Sequence, residues 1–180
     1  MPTYISMLRG INVTGHKIIR MEDLRTLYES LGYERVRSYV QSGNVVFDAR
    51  TKGVETIERH IADAVKKSFG YDVSVIIRTP EELKRVLSAN PFLKGRKDEL
   101  PGLHVTFLSS ELSPAVRKGL SVGKDGVDEY IPARREIYLS CPDGYGRTKF
   151  SNTYFEKLLT MPATTRNWKT VNALYQMALE

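Results

Sequence analysis

The sequence predicts an α+β protein made of two tandem copies of a ferredoxin-like β-α-β-β-α-β unit, the second copy ending in a helix. Three observations predict it. Short runs of β-formers alternate with amphipathic stretches at helical spacing. Each half carries one hairpin signal. The element order of residues 1–90 is echoed by residues 91–180, so these two ranges are the expected halves.

Thr3 to Leu8 reads as the first strand. Arg9 to Lys17 follows as a loop broken by Gly10 and Gly15. Met21, Leu24, Leu27, Tyr28 and Leu31 fall on one helical face, with Glu22 and Asp23 in the first turn and Gly32 placed to end the helix. Val36 to Gln41 and Asn44 to Asp48 form a hairpin around Ser42-Gly43. Val54, Ile57, Ile61, Val65 and Phe69 mark a second helix, and Val73 to Ile77 a fourth strand. Thr79-Pro80-Glu81-Glu82 is a capping box with proline at the first helical position, so another helix begins there.

Asn90 to Pro101 has two prolines, several charges and no periodicity, and is read as the connector. In the second half Leu103 to Leu108 is a strand and Ser113-Pro114 opens a helix through Leu120. Val127 to Ile131 and Glu136 to Cys141 pair around Pro132 to Arg135, and Ser151 begins a helix through Leu159. No fourth strand is expected here. Thr164-Thr165-Arg166-Asn167-Trp168 reads instead as the opening of a last helix, with Thr165 as its N-cap. Its apolar stripe is Trp168, Val171, Leu174, Tyr175 and Ala178.

Four segments together carry a resemblance: Leu8 to Val13, Tyr39 to Phe47, Pro142 to Lys149 and Pro162 to Trp168. In this order and spacing they resemble the bacterial family catalogued as domain of unknown function 1697. The resemblance implies a cytoplasmic α+β protein and no established activity, so it carries over no catalytic residue and no cofactor. Thr14 stands where that pattern has glycine, and Ile19-Arg20-Met21 where it has Pro-Met.

Composition narrows the classes of function. Net charge is +6, shared evenly: residues 1–90 carry 14 basic and 11 acidic side chains, and residues 91–180 carry 13 and 10. That excess permits nucleic acid, nucleotide or phosphate as partner, with plain solubility charge as the simpler reading. The lone Cys141 excludes an intramolecular disulfide. No apolar run has the length of a membrane span, so no membrane partner is expected. Three scattered histidines and one cysteine give no metal-ligand spacing, so no metal is expected. Ser42 lacks the nucleophile-elbow glycines, and Tyr4 with Phe47 is too few aromatics for an RNA-recognition sheet.

The first and second strands of such a unit end at one sheet edge. The Arg9 to Lys17 loop and the Gln41 to Asn44 turn are therefore expected roughly 5–10 Å apart. Arg9, Asn12, Lys17, Gln41, Ser42 and Asn44 would gather there as donors and cations suited to an anion. The competing reading is that Asn12 and Asn44 serve turn backbones. Arg147 and Lys149, in a glycine-rich loop before a helix, and Thr165 with Arg166, at the expected last helix start, are further anion-binding candidates. Simple turn and capping roles compete with each. An enzyme acting on a small anionic metabolite and a homodimerising structural module are the alternatives to a phosphate-binding module.

Overall fold

The computed structural model describes residues 1–50, 53–94, 101–120 and 122–180. The chain is of mixed α+β type and divides into two compact units, residues 1–84 with 173–180, and residues 85–172. Residues 95–100 of the expected connector lie outside the described residues.

The first unit contains β1 (Thr3–Leu8), α1 (Met21–Ser30), β2 (Glu34–Tyr39), β3 (Asn44–Asp48), α2 (Val54–Phe69) and β4 (Val75–Arg78). Its sheet runs β2-β3-β1-β4, and every pairing is antiparallel. Alternate residues of β1 project to opposite faces. Tyr4 and Leu8 join Val45, Phe47, Ile77 and the buried residues of α1 and α2 in one core. Within it the Ser6 and Tyr28 hydroxyls lie 2.7 Å apart, which satisfies two polar groups that burial would otherwise penalise. Gly32, at φ +84°, closes α1 as expected, with its N–H donating to Glu29 O. The first hairpin strand ends earlier than the sequence suggests. Val40 takes φ +51°, off the β region, so Val40 to Gly43 form the turn.

Helix α3 (Pro80–Ser88) starts at the capping box. Thr79 N donates to Glu82 Oε2 at 2.8 Å, and Glu82 N donates back to Thr79 Oγ1 at 3.2 Å.

The second unit contains β5 (Leu103–Leu108), α4 (Pro114–Leu120), β6 (Gly123–Asp125), β7 (Asp128–Pro132), β8 (Glu136–Ser140), α5 (Asn152–Leu159) and β9 (Ala163–Asn167). These strands form a five-stranded antiparallel sheet in the order β6-β7-β8-β5-β9. Tyr130, Ile137, Leu139, Phe150 and Phe155 build its core against Leu108 and Leu112.

Two corrections concern this unit. The fourth strand expected to be missing is present as β9, which pairs with β5 from His104↔Asn167 to Leu108↔Ala163. Helix α6 (Trp168–Leu179) therefore starts at Trp168, and its first turn is capped by Asn167, whose Oδ1 accepts from Thr170 N at 2.8 Å. Thr164, Thr165 and Arg166 lie in the strand and do not open the helix. Threonine serves as a helix cap and as a β-former alike, and the ladder with β5 decides between them. The other correction is β6, a short edge strand ahead of the expected hairpin.

Candidate functional site

The expected convergence of the first loop and the hairpin turn is present. Leu8 N donates to Gly43 O at 3.0 Å, and Asn12 Nδ2 donates to Gln41 O at 2.7 Å. Asn12 also folds the loop on itself. Its Nδ2 donates to Ile19 O and its Oδ1 accepts from Ile19 N, both at 2.8 Å. One amide thus holds three backbone groups, two in its own loop and one 29 residues away. Asn44 is fully buried. Its Nδ2 donates to Tyr39 O at 3.2 Å and to Ser42 Oγ at 3.1 Å. Asn12, Ser42 and Asn44 therefore shape the edge from within. Arg9 and Lys17 are the cations it carries, and Gln41 is exposed at the turn.

The loop backbone is unusual. Gly10, Asn12, Thr14, Gly15 and Lys17 all have positive φ, between +47° and +77°. Left-handed conformation at a threonine or lysine costs roughly 1–2 kcal/mol and persists only where its surroundings enforce it. Thr14 and Gly15, consecutive at positive φ, make the tight turn of a small hairpin in which His16 N donates to Val13 O at 2.9 Å and Asn12 N donates to Lys17 O at 3.1 Å.

The sequence did not reveal the third segment at this edge. Arg9 N donates to Ser74 O at 2.9 Å, and Lys17 Nζ donates to Asp72 O at 2.7 Å. Lys66 pairs with the Asp72 carboxylate at 3.0 Å beside a cavity of about 280 Å³ lined by Ala62, Asp63, Lys66, Asp72, Val73 and Ser74. Asp72 lies 55 residues beyond Lys17, so only the fold joins them.

The second-unit candidates separate into two places. Arg147 is exposed and lines a cavity that also holds Asp125, Asp128 and Asp143, a surround that repels anions. Lys149 is exposed, its Nζ 5.9 Å from the Tyr154 ring centroid. Thr165 and Arg166 stand on β9. Thr165 is the middle of a relay: the Thr106 and Thr165 hydroxyls lie 2.7 Å apart, and Thr165 Oγ1 donates to Asn152 Oδ1 at 2.6 Å. Tyr145 joins it by accepting from Asn152 N at 3.2 Å. Arg166 is buried, donating to Thr164 Oγ1 at 2.7 Å and to Thr165 O at 3.0 Å. Burial lowers its guanidinium to about 10, with Tyr145 acting in the opposite sense, so it remains charged at neutral pH. The Cys141 thiol is raised by burial, which makes it a poor nucleophile.

His104 stacks on Tyr145, ring centroids 5.0 Å apart and planes 26° from parallel. Its Nδ1 lies 3.0 Å from Gly102 O, so Nδ1 carries the proton and Nε2 is the acceptor. Burial holds its pKa below the usual histidine value, with the Gly102 contact opposing the shift more weakly. The unfolded chain then binds a proton at higher pH than the folded one. The stability contribution is full above the ordinary histidine value, about 6.5, and is lost as pH falls through the lower folded value. Melting curves of parent and His104→Gln between about pH 7 and pH 5 should show a steeper loss in the parent. Parallel curves would contradict this.

Among the described residues no group of three or more His, Cys, Asp or Glu is placed to hold a metal ion, and no helix is long and apolar enough to cross a membrane. A family model described as "Protein of unknown function (DUF1697)" matches residues 1–138. No curated protein matches the chain. Among solved structures it is similar to a conserved bacterial protein from Streptococcus pneumoniae, with 23% identity over 98% of each chain and a TM-score of 0.72. That likeness concerns the fold.

Proposed function

The chain belongs to the family described as protein of unknown function (DUF1697), and we propose that it is a cytoplasmic binding module for a phosphate-bearing ligand, a nucleotide or a nucleic acid, held at the first-loop edge. The observation that carries this reading is the convergence at one edge of the Arg9 to Lys17 loop, which bears two cations, and the Gln41 to Asn44 turn. Asn12 ties the loop to the turn, and Arg9 with Lys17 gives the edge its positive charge. Charge-assisted hydrogen bonds to a phosphate contribute about 1.5–3 kcal/mol each. An enzyme on a small anionic metabolite would use the same loops, and it would show turnover where a binding module shows occupancy alone.

We also read the two units as a tandem duplication of a ferredoxin-like unit. The shared order supports it, since β7-β8-β5-β9 parallels β2-β3-β1-β4. Register supports it more sharply. Arg78 lies opposite Ile5 and Arg166 opposite Val105, each facing the third residue of its unit's first strand. Both arginines are buried, as are Ser6 and Thr106, the next residues along those strands.

Pyrophosphate tests the binding proposal because it has phosphate chemistry and no base. A ligand at about a hundredfold its Kd stabilises the folded chain by about 2.7 kcal/mol. Pyrophosphate should raise the melting temperature of the parent, and the double variant Arg9→Gln with Lys17→Gln should lose most of that rise while remaining folded. Equal stabilisation of parent and variant would remove this edge as the site.

A further inference from the structure

We propose that the second unit holds a separate site for a nucleoside monophosphate, in the cavity between the His104–Tyr145 stack and the start of α6. The cavity measures about 410 Å³ and is lined by residues 101–104, 144–145 and 167–169. Small-molecule sites are typically concavities of roughly 300–1,000 Å³, mostly apolar, with a few placed polar groups. This one has that composition.

Its polar and aromatic groups divide the ligand between them. His104 and Tyr145 form a stacked pair at the wall, and Trp168 adds a third ring among the lining residues. Flat aromatic surfaces of this kind take up a nucleobase by stacking. His104 Nδ1 donates to the Gly102 carbonyl, which leaves Nε2 as an acceptor, with no partner among the described residues. That acceptor suits an exocyclic amine or ribose hydroxyl, both donors. The anionic end has a different counterpart. Helix α6 starts at Trp168 with no acidic residue in its first turn, and Lys169, the second residue of the helix, is exposed. Asn167 Oδ1 already takes Thr170 N in this turn, so Lys169 is the cationic counterpart of a phosphate at the cavity's rim. A stacking wall and a rim lysine in one cavity specify a planar base joined to a phosphate. Neither a bare anion nor a neutral aromatic uses both.

Tyr145 is held in place by the relay. Asn152 N donates to its hydroxyl at 3.2 Å, and Asn152 Oδ1 takes the Thr165 hydroxyl at 2.6 Å. That assigns Asn152 and Thr165 as positioning residues for the stacking ring. The site stands on observations independent of the first-loop edge, and either can fail alone.

Trp168 is the chain's one tryptophan, so its fluorescence reports on this cavity directly. AMP, adenosine and inorganic phosphate are titrated into the intact chain. AMP should change the Trp168 emission saturably, adenosine should bind about tenfold more weakly, and phosphate alone should leave the emission unchanged. Lys169→Gln, a change at an exposed residue, should weaken AMP about tenfold and leave adenosine as it was. Tyr145→Leu should weaken both. Arg9→Gln with Lys17→Gln should leave the AMP response intact, which separates this site from the first-unit edge. Absence of any saturable response to AMP, GMP, CMP and UMP at millimolar concentration overturns the proposal. So does equal binding of AMP and adenosine, or a Lys169→Gln variant that binds AMP as the parent does.

Discussion

Trp168→Ala should destabilise the protein by roughly 3–5 kcal/mol, the range for removing a large aromatic from a packed site. Trp168 opens α6 with 8% of its surface exposed, and Val171 and Leu174 continue its stripe with almost none. Truncation removes the largest side chain of that stripe and leaves a void that the first turn of a capped helix cannot close. For a chain of this size the melting temperature should fall by roughly 6–20 °C. A fall of about one or two degrees would show that Trp168 contributes little to packing.

Asn12→Ala should cost roughly 2–4 kcal/mol although the residue is only half-buried. Three hydrogen bonds are lost, to Ile19 O, from Ile19 N and to Gln41 O. Each contributes about 0.5–1.5 kcal/mol net. Ile19 is buried, so its peptide N–H and C=O would lose their partner away from bulk water. Alanine also tolerates φ +55° less well than asparagine. Asn12→Asp should cost at least as much as alanine, since it keeps the acceptor for Ile19 N but sets a carboxylate oxygen against the Ile19 and Gln41 carbonyls. Chemical denaturation of the three proteins measures this. A loss under about 0.5 kcal/mol for alanine would place Asn12 with ordinary surface positions and remove its role as the clasp.

Much of the fold is legible because its signals are local. The capping box at Thr79 to Glu82 needs four consecutive residues, and Gly32 after α1 needs one. The β-branched and aromatic runs of β1, β3 and β5 are equally plain. The misreadings occur where one residue type serves two structures. Thr164-Thr165 suits a helix cap and a strand, and only the ladder between β5 and β9 decides, across about 60 residues of chain. β6 is three residues, Gly-Lys-Asp, with no β-forming signal of its own.

The candidate edge was half legible. Topology brings the Arg9 to Lys17 loop to the Gln41 to Asn44 turn, and the donors are visible in the sequence. Their roles are not. Asn12 and Asn44 were candidates for ligand contact, and their amides hold the backbone of these loops and turns. The competing turn-backbone reading describes those two side chains. Arg9 and Lys17 are left as the cationic groups, with the Asp72 to Ser74 segment as an unforeseen third wall. The cavity beside His104 is not legible in the sequence because its parts come from residues 101–104, 144–145 and 167–169. No spacing rule joins such segments.

The most direct test of the central claim is an amide-resolved NMR titration of the intact chain with pyrophosphate. If the first-loop edge accepts phosphate, shifts should concentrate and saturate at the amides of residues 10–17 and 41–44. The Arg9→Gln, Lys17→Gln protein should lose them. A spectrum in which those amides stay fixed while pyrophosphate shifts others, or shifts none at millimolar concentration, would contradict it.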